Sequence, residues 1–124
     1  LHGHEDEAYL AAVRAQTKKP LVQAFQIQSA ADLARAAAST ADGLLLDSGC
    51  GTGARFDWTP LRDFPRPYIL AGGLTPENVG AAVAALHPAG VDVSSGVETN
   101  GAKDKTKMAA FVEAVRKADR EAQI

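Results

Sequence analysis

Short apolar runs recur along this chain at nearly constant spacing, and that rhythm constrains the fold more than any other feature. The runs are Leu21 to Ile27, Gly43 to Asp47, Tyr68 to Ala71 and Val91 to Ser94, with starts 22, 25 and 23 residues apart. Each interval has room for one strand, one helix and two short loops, so the chain reads as a βα repeat. Leu44, Leu45 and Leu46 are consecutive and apolar, as in a strand covered on both faces, which predicts a parallel sheet.

The segments between the runs carry helix signals. Ser29 precedes an alanine-rich stretch with Asp32 three positions on, an acidic form of the capping box. Thr75-Pro76-Glu77 places a cap, a first-turn proline and an acidic first turn in order. Before the first run, Glu5 to Ala15 sets Leu10 and Val13 on one helical face. After the last, Asp104 caps a predicted helix with Met108, Phe111, Val112 and Val115 turned inward. The expected order is one helix followed by four βα units, with no internal domain boundary.

Four parallel strands with crossovers of one hand fit either a small doubly wound sheet or an arc of a barrel. In both, ligands sit at the carboxyl ends of the strands. Here the glycines and polar residues gather at those ends, in Asp47-Ser48-Gly49, Gly72-Gly73 and Ser94-Ser95-Gly96.

Composition narrows the function classes. Thirteen basic and 15 acidic residues give a net charge of −2, and the sequence pI is near 5.9. No basic cluster stands ready for a phosphodiester backbone, so no nucleic-acid partner is expected. The apolar runs are too short to span a bilayer and no leader precedes Leu1, so no membrane partner is expected and the location should be cytoplasmic. The single cysteine, Cys50, leaves no internal disulfide and no cysteine-based zinc framework.

Gly72-Gly73 lets backbone amides approach an anion closely, and Thr75-Pro76 then opens a helix; from this motif alone a phosphate cradle and a plain tight turn are equally good readings. Ser94-Ser95-Gly96 supplies a second small-residue turn one unit later. In barrels the loops after the last two strands commonly hold phosphate, which favours the functional reading. Asp47 ends the leucine strand, where a partly desolvated carboxyl with a raised pKa donates a proton; a turn or cap role is equally open. Cys50, with no nearby histidine, reads as incidental rather than nucleophilic.

Five strings in order then resemble one family: Leu1-His2-Gly3; Leu44-Leu45-Leu46-Asp47-Ser48; Gly51-Thr52-Gly53 with Phe56-Asp57-Trp58; Leu70 to Val79 (LAGGLTPENV); and Val91 to Glu98 (VDVSSGVE). Gly101 and Lys103-Asp104 complete the last loop. The chain is similar to the phosphoribosylanthranilate isomerases over nearly its whole length. The resemblance implies an α/β fold, a parallel (β/α)₈ TIM barrel of which this chain covers about strands 4/5 to 8. Residues 1–124 would form the C-terminal half of a single barrel domain, and 124 residues is about half of the ~250 in a complete barrel.

It also implies an Amadori rearrangement of phosphoribosylanthranilate in tryptophan biosynthesis, with one acid, one base, no cofactor and no metal. Asp47 matches the general acid that protonates the ribose ring oxygen. Gly72, Gly73, Ser95 and Gly96 match the turns that hold the substrate phosphate, and His2 matches a histidine lining the pocket. The sequence departs from the family where Cys50 replaces the first glycine of the loop after strand six, with Arg55 near the usual basic position.

The family's general base, a cysteine ending strand one, and its anthranilate-binding arginine after strand two lie outside the matched strands. The isolated chain is therefore expected to be inactive on its small-molecule phosphoribosyl substrate. It should pair with a missing N-terminal half or with a second copy of itself. The rival to an enzyme is a non-catalytic half-barrel scaffold. A second phosphate-binding barrel enzyme, needing a strand-end lysine or metal-binding histidine, fits less well, because Lys103, Lys105, His4 and His87 fall elsewhere in the expected pattern.

Overall fold

In the computed structural model, which describes residues 1–48 and 58–122, the chain is an α/β unit built on a parallel sheet. Helix α1 (Glu7–Gln16) begins where the Asp6 carboxylate accepts from the Tyr9 amide at 2.8 Å. It buries Leu10 as expected. Arg14 in its last turn reaches the Asp42 carboxylate (3.1 Å) and the Thr40 carbonyl (3.0 Å), fixing the helix to the β2 side of the sheet.

Strand β1 (Val22–Gln26) leads to α2 (Ala30–Ala38), where the reciprocal Ser29/Asp32 box forms. Strand β2 (Gly43–Asp47) has the bounds the sequence predicts. Among the described residues no α-helix stands between β2 and β3 (Ile69–Ala71), where the βα repeat leads one to expect it; the helical element found there is the 3₁₀ turn Thr59–Leu61. Arg66 crosses from the loop before β3 to cap the carbonyl end of α2, donating to Ala36, Ala37 and Ser39 and also to Ala41. Helix α3 (Val79–Leu86) and strand β4 (Gly90–Val91) follow. After a second 3₁₀ turn, Ser95–Val97, the two-residue strands β5 (Glu98–Thr99) and β6 (Ala102–Lys103) make an antiparallel hairpin, and α4 (Lys105–Ala122) ends the described chain.

The four strands lie in the order β1-β2-β3-β4, all parallel, as one-handed βα crossovers require. Beyond β1, the Leu1 amino group donates to the Val22 carbonyl (2.9 Å) and the Leu1 carbonyl accepts from the Ala24 amide (2.7 Å). That is the bonding of a parallel neighbour, so Leu1 covers the β1 edge over one residue.

Alternation along β2 decides what each face does. Leu44, Leu46 and Leu70 are fully buried against the helices, in one cluster with Leu10, Val79 and Phe111; each contributes ~2 kcal/mol by leaving water. Leu45, Asp47 and Ile69 point the other way and are only half-buried. Among the described residues the run Leu44-Leu45-Leu46 is therefore covered by helices on one face only, and of its two alternating sets Leu44 and Leu46 are the pair turned to them. Those leucines serve the helix layer, and their neighbours line the open face.

Three other expectations are adjusted. Strand β4 stops at Val91 rather than Ser94: Asp92 still donates to the Leu70 carbonyl (2.8 Å), but Ser94 turns out of extended conformation (φ −130°, ψ −84°) into the 3₁₀ turn. Regular α3 starts at Val79. Thr75 still opens its first turn, accepting from the Asn78 amide while Asn78 accepts from the Thr75 amide (2.7 Å), a capping box with asparagine as reciprocal partner. On α4, Phe111 and Ala118 are buried with Ala114 and Val115 beside them, whereas Met108 and Val112 remain 38% and 45% exposed. The helix seats on α3 by the stripe 111, 114, 115, 118, and both exposed residues lie on one flank of that stripe.

Candidate active site

The open sheet face and the carboxyl ends of the strands enclose a cavity of about 1080 Å³, lined in part by His2, Gln26, Asp47, Ala71 and Asp92. Sheet register explains the grouping. Gln26, Asp47 and Ala71 stand opposite one another in the ladder. Asp92 follows the Leu70↔Val91 pair by one residue, so it stands in the same row. In a parallel sheet such a row shares one face. Helix α4 supplies none of the lining residues.

Asp47 is half-buried at the end of β2, and its carbonyl accepts from the Ile27 amide at 2.8 Å. The next residue stitches this strand end to the glycine turn. The Ser48 amide donates to the Ala71 carbonyl (3.0 Å), and its hydroxyl reaches the carbonyls of Ala71 (3.2 Å) and Gly72 (3.4 Å). Gly72 (φ 98°) and Gly73 (φ 61°) are both left-handed, a pair of conformations that side-chain-bearing residues resist. Asn78 donates to the Gly73 carbonyl (3.0 Å), tying the turn to the start of α3.

The second turn touches the first. A Cβ built on Gly96 would lie 1.8 Å from the carbonyl oxygen of Leu74, the residue after Gly73. No side chain fits, and this contact brings the two candidate phosphate turns together. Ser95 is exposed beside it. Of the predicted site residues, Asp47 and His2 share the cavity, and Gly72-Gly73 and Ser95-Gly96 meet above β3 and β4.

The His2–Glu5 segment is folded by the Glu5 carboxylate, which accepts from the Gly3 amide (3.0 Å). Bonding to its own amide first, and to that of Gly3 second, holds the Glu5 carboxyl below its ordinary pKa. Buried Gln23 donates to the Glu5 carbonyl (3.0 Å) and accepts from Ser39 (2.6 Å), anchoring the rim of the cavity to β1.

Among the cavity residues to which sequence reasoning gave no role are Asp92, Gln26 and His4. Asp92 and Gln26 fall inside the predicted runs Val91 to Ser94 and Leu21 to Ile27, and only the strand register puts them in the row of Asp47. His4, read as away from strand ends, lies on this rim because Leu1 pairs with β1. His87 stands at the opposite end, left-handed (φ 48°) at the end of α3. Cys50 and Arg55 fall within residues 49–57, which lie outside the described residues. Among the described residues, no group of three or more His, Cys, Asp or Glu is placed to hold a metal ion, and no helix is long and apolar enough to cross a membrane.

The sequence profile of N-(5′-phosphoribosyl)anthranilate isomerase matches residues 1–114. The chain belongs to this family. An N-(5′-phosphoribosyl)anthranilate isomerase from Endomicrobium trichonymphae is 43% identical over 121 residues, covering 94% of this chain and 59% of the relative. The phosphoribosyl anthranilate isomerase structure from Thermotoga maritima superposes with a TM-score of 0.81 at 34% identity, over 94% of this chain and 60% of that one. Another member of the family, solved in complex with reduced 1-(o-carboxyphenylamino)-1-deoxyribulose 5-phosphate, gives 0.76 at 33% identity, over 94% and 58%. The chain thus spans about three fifths of the length of the curated relatives it matches, and its parallel-sheet α/β architecture is of the family's barrel type.

Proposed function

We infer that residues 1–124 are the C-terminal part of a phosphoribosylanthranilate isomerase barrel, about strands 4/5 to 8, and carry its general acid and phosphate site. The observation that carries this reading is the tie from Asp47, at a strand end on the cavity, through its neighbour Ser48 to the Ala71 and Gly72 carbonyls of the first glycine turn, which touches the second through Gly96 and Leu74. In this reading the amides of Gly72, Gly73, Ser95 and Gly96 bind the phosphate of N-(5′-phosphoribosyl)anthranilate. Gly72 and Gly73, both left-handed, leave no Cβ between their amides and the anion.

Asp47 then protonates the ribose ring oxygen, opening the ring to an iminium. Loss of the proton from C2 to a base converts this aminoaldose to the enol, which tautomerises to the aminoketose. His2 lines the pocket beside the reacting end. No cofactor or metal enters the reaction. The base and the anthranilate-binding arginine belong to strands the resemblance does not find here, so the chain by itself is inactive, and in the cell it serves cytoplasmic tryptophan biosynthesis only when completed.

The missing strands would cover the open sheet face, where Val22 of β1 is 41% exposed, and the flank of α4 bearing Met108 and Val112, 38% and 45% exposed. We therefore propose that the isolated chain pairs, with such a piece or with itself. Light scattering at micromolar concentration should give a species heavier than the 12.9 kDa chain; a monodisperse monomer sinks this part of the reading.

The direct test of the acid uses the chain joined to its upstream strands. Asp47→Asn should lower kcat by ~10²–10⁴ with little change in KM. A variant turning over at a near-normal rate removes Asp47 from the role.

A further inference from the structure

Lys103 lies outside the residues assigned above, on the far strand of the hairpin that follows the Ser95–Gly96 turn. Its ammonium has three acceptors: the Ser94 carbonyl (3.0 Å), the Ser94 hydroxyl (3.2 Å) and the Glu98 carboxylate (2.7 Å). From the first turn of α4, Lys107 donates to the Glu98 carbonyl (2.7 Å), so Glu98 is itself held from behind. What they grip is the residue that ends the extended run. Ser94, at φ −130° and ψ −84°, sets the direction in which the next two amides leave the sheet. Gly96 is braced on its other side by the Leu74 carbonyl.

We propose that Lys103 is a positioning residue for the phosphate turn, a clamp on Ser94 that aims the Ser95 and Gly96 amides, with Glu98 holding the clamp shut. This rests on the reading of the two turns as a phosphate cradle. A clamp differs physically from the other use of a lysine near a phosphate, direct ion pairing with it. If the ammonium bound the anion directly, Glu98 would compete with the anion and its removal would tighten binding. As a clamp, Lys103 depends on Glu98, and removing the carboxylate loosens the turn and weakens binding.

The ion pair is solvent-accessible, its side chains 52% and 23% exposed, and such pairs contribute little to stability. Variants should therefore remain folded and report on the site. The experiment titrates inorganic phosphate into the chain and follows the amide resonances of Gly72, Gly73, Ser95 and Gly96. Lys103→Met should weaken phosphate about fivefold, which is ~1 kcal/mol at 1.4 kcal/mol per tenfold. Lys103→Arg, which keeps a cationic donor, should restore most of that affinity. Glu98→Gln should weaken it about twofold to threefold, within the range of an exposed pair.

Wild-type affinity in Lys103→Met, or tighter binding in Glu98→Gln, overturns the clamp while leaving the cradle standing. A wild-type chain whose four amides do not respond to phosphate removes the cradle, and this inference with it.

Discussion

Gly96→Ala tests the joint on which the site depends. The added Cβ would lie 1.8 Å from the Leu74 oxygen, 2.9 Å from the Leu74 carbonyl carbon and 3.2 Å from Val93 Cγ2. Two of those atoms are backbone, so no rotamer change relieves the clash, and reaching an ordinary contact requires the two turns to separate by about 1.5 Å. Gly96 is not among the left-handed glycines, so the cost is one of space and not of φ. Overpacking of this kind costs about 2–3 kcal/mol, or a melting temperature about 10 °C lower for a chain of this size. The urea midpoint should fall with an unchanged m-value, and phosphate affinity at the four turn amides should fall at least about tenfold as the turns part. Gly90→Ala is the control, because its Cβ would meet only Ile69 Cγ1, at an ordinary 3.6 Å. If Gly96→Ala matches the wild type in both midpoint and phosphate response, the two turns are not packed together and the cradle loses its geometric basis.

Gly80→Ala, inside α3 with its nearest neighbour the Ala114 carbonyl at 3.7 Å, should stabilise the chain by about 0.5–1 kcal/mol through helix propensity; a lower urea midpoint would mean that α3 and α4 are in closer contact than this. Tyr68 is buried, edge-on to Phe64 at 5.6 Å, and its hydroxyl has no partner among the described residues. Tyr68→Phe should therefore leave stability at pH 7 unchanged or raise it by about 1 kcal/mol, and a loss larger than that shows the hydroxyl to be bonded. Burial also raises the Tyr68 pKa. The unfolded phenol ionises first, near pH 10, so the Tyr68 contribution is full below that pH and is lost as pH climbs toward the folded value; Tyr68→Phe should flatten this alkaline decline in unfolding curves. The Asp104 carboxyl is held below its ordinary range, first by the Thr99 hydroxyl (2.7 Å) and then by the amides of Lys107 and Thr106. Its contribution is present above the ordinary aspartate pKa, near 4, and is lost as pH falls through the depressed folded value; Asp104→Ala should shrink the acid-side slope of stability, and an unchanged slope removes the cap from the acid transition.

The elements legible in the sequence are those whose signals are local. The Ser29/Asp32 box, the Asp104 cap and the bounds of β2 all rest on neighbours within a few residues, and each forms. The open sheet face was not legible because it depends on which alternate set of leucines meets the helices, and the unbroken run Leu44-Leu45-Leu46 hides the alternation. The short β4 was not legible because its end is dictated by Gly96 pressing on Leu74, a contact between residues 22 apart in sequence. The exposed flank of α4 likewise follows from its seating on α3. For the site, Asp47 and the glycine turns were readable as strand-end residues. Asp92 and Gln26 lie inside their predicted runs, and their place beside Asp47 follows from pairing between strands that the sequence does not display.

The arrangement of β2 puts a buried leucine set and a cavity-facing carboxylate on one five-residue strand. Leu44 and Leu46 are 2% and 0% exposed against the helices, while Leu45 and Asp47 face the cavity. A shift of one residue would exchange the sets, placing the Asp47 carboxylate among Leu10, Leu70 and Val79 and two large leucines in the cavity, at a cost of several kcal/mol for the buried charge alone. The hydrophobic layer therefore fixes the direction of the Asp47 carboxylate as firmly as any hydrogen bond to it. The turns after β3 and β4 have no such layer behind them. Their direction comes instead from the Gly96–Leu74 contact and from side-chain ties at Ser48, Asn78 and Lys103. Substitutions around Asp47 should be read first in stability, and substitutions around the turns first in anion affinity.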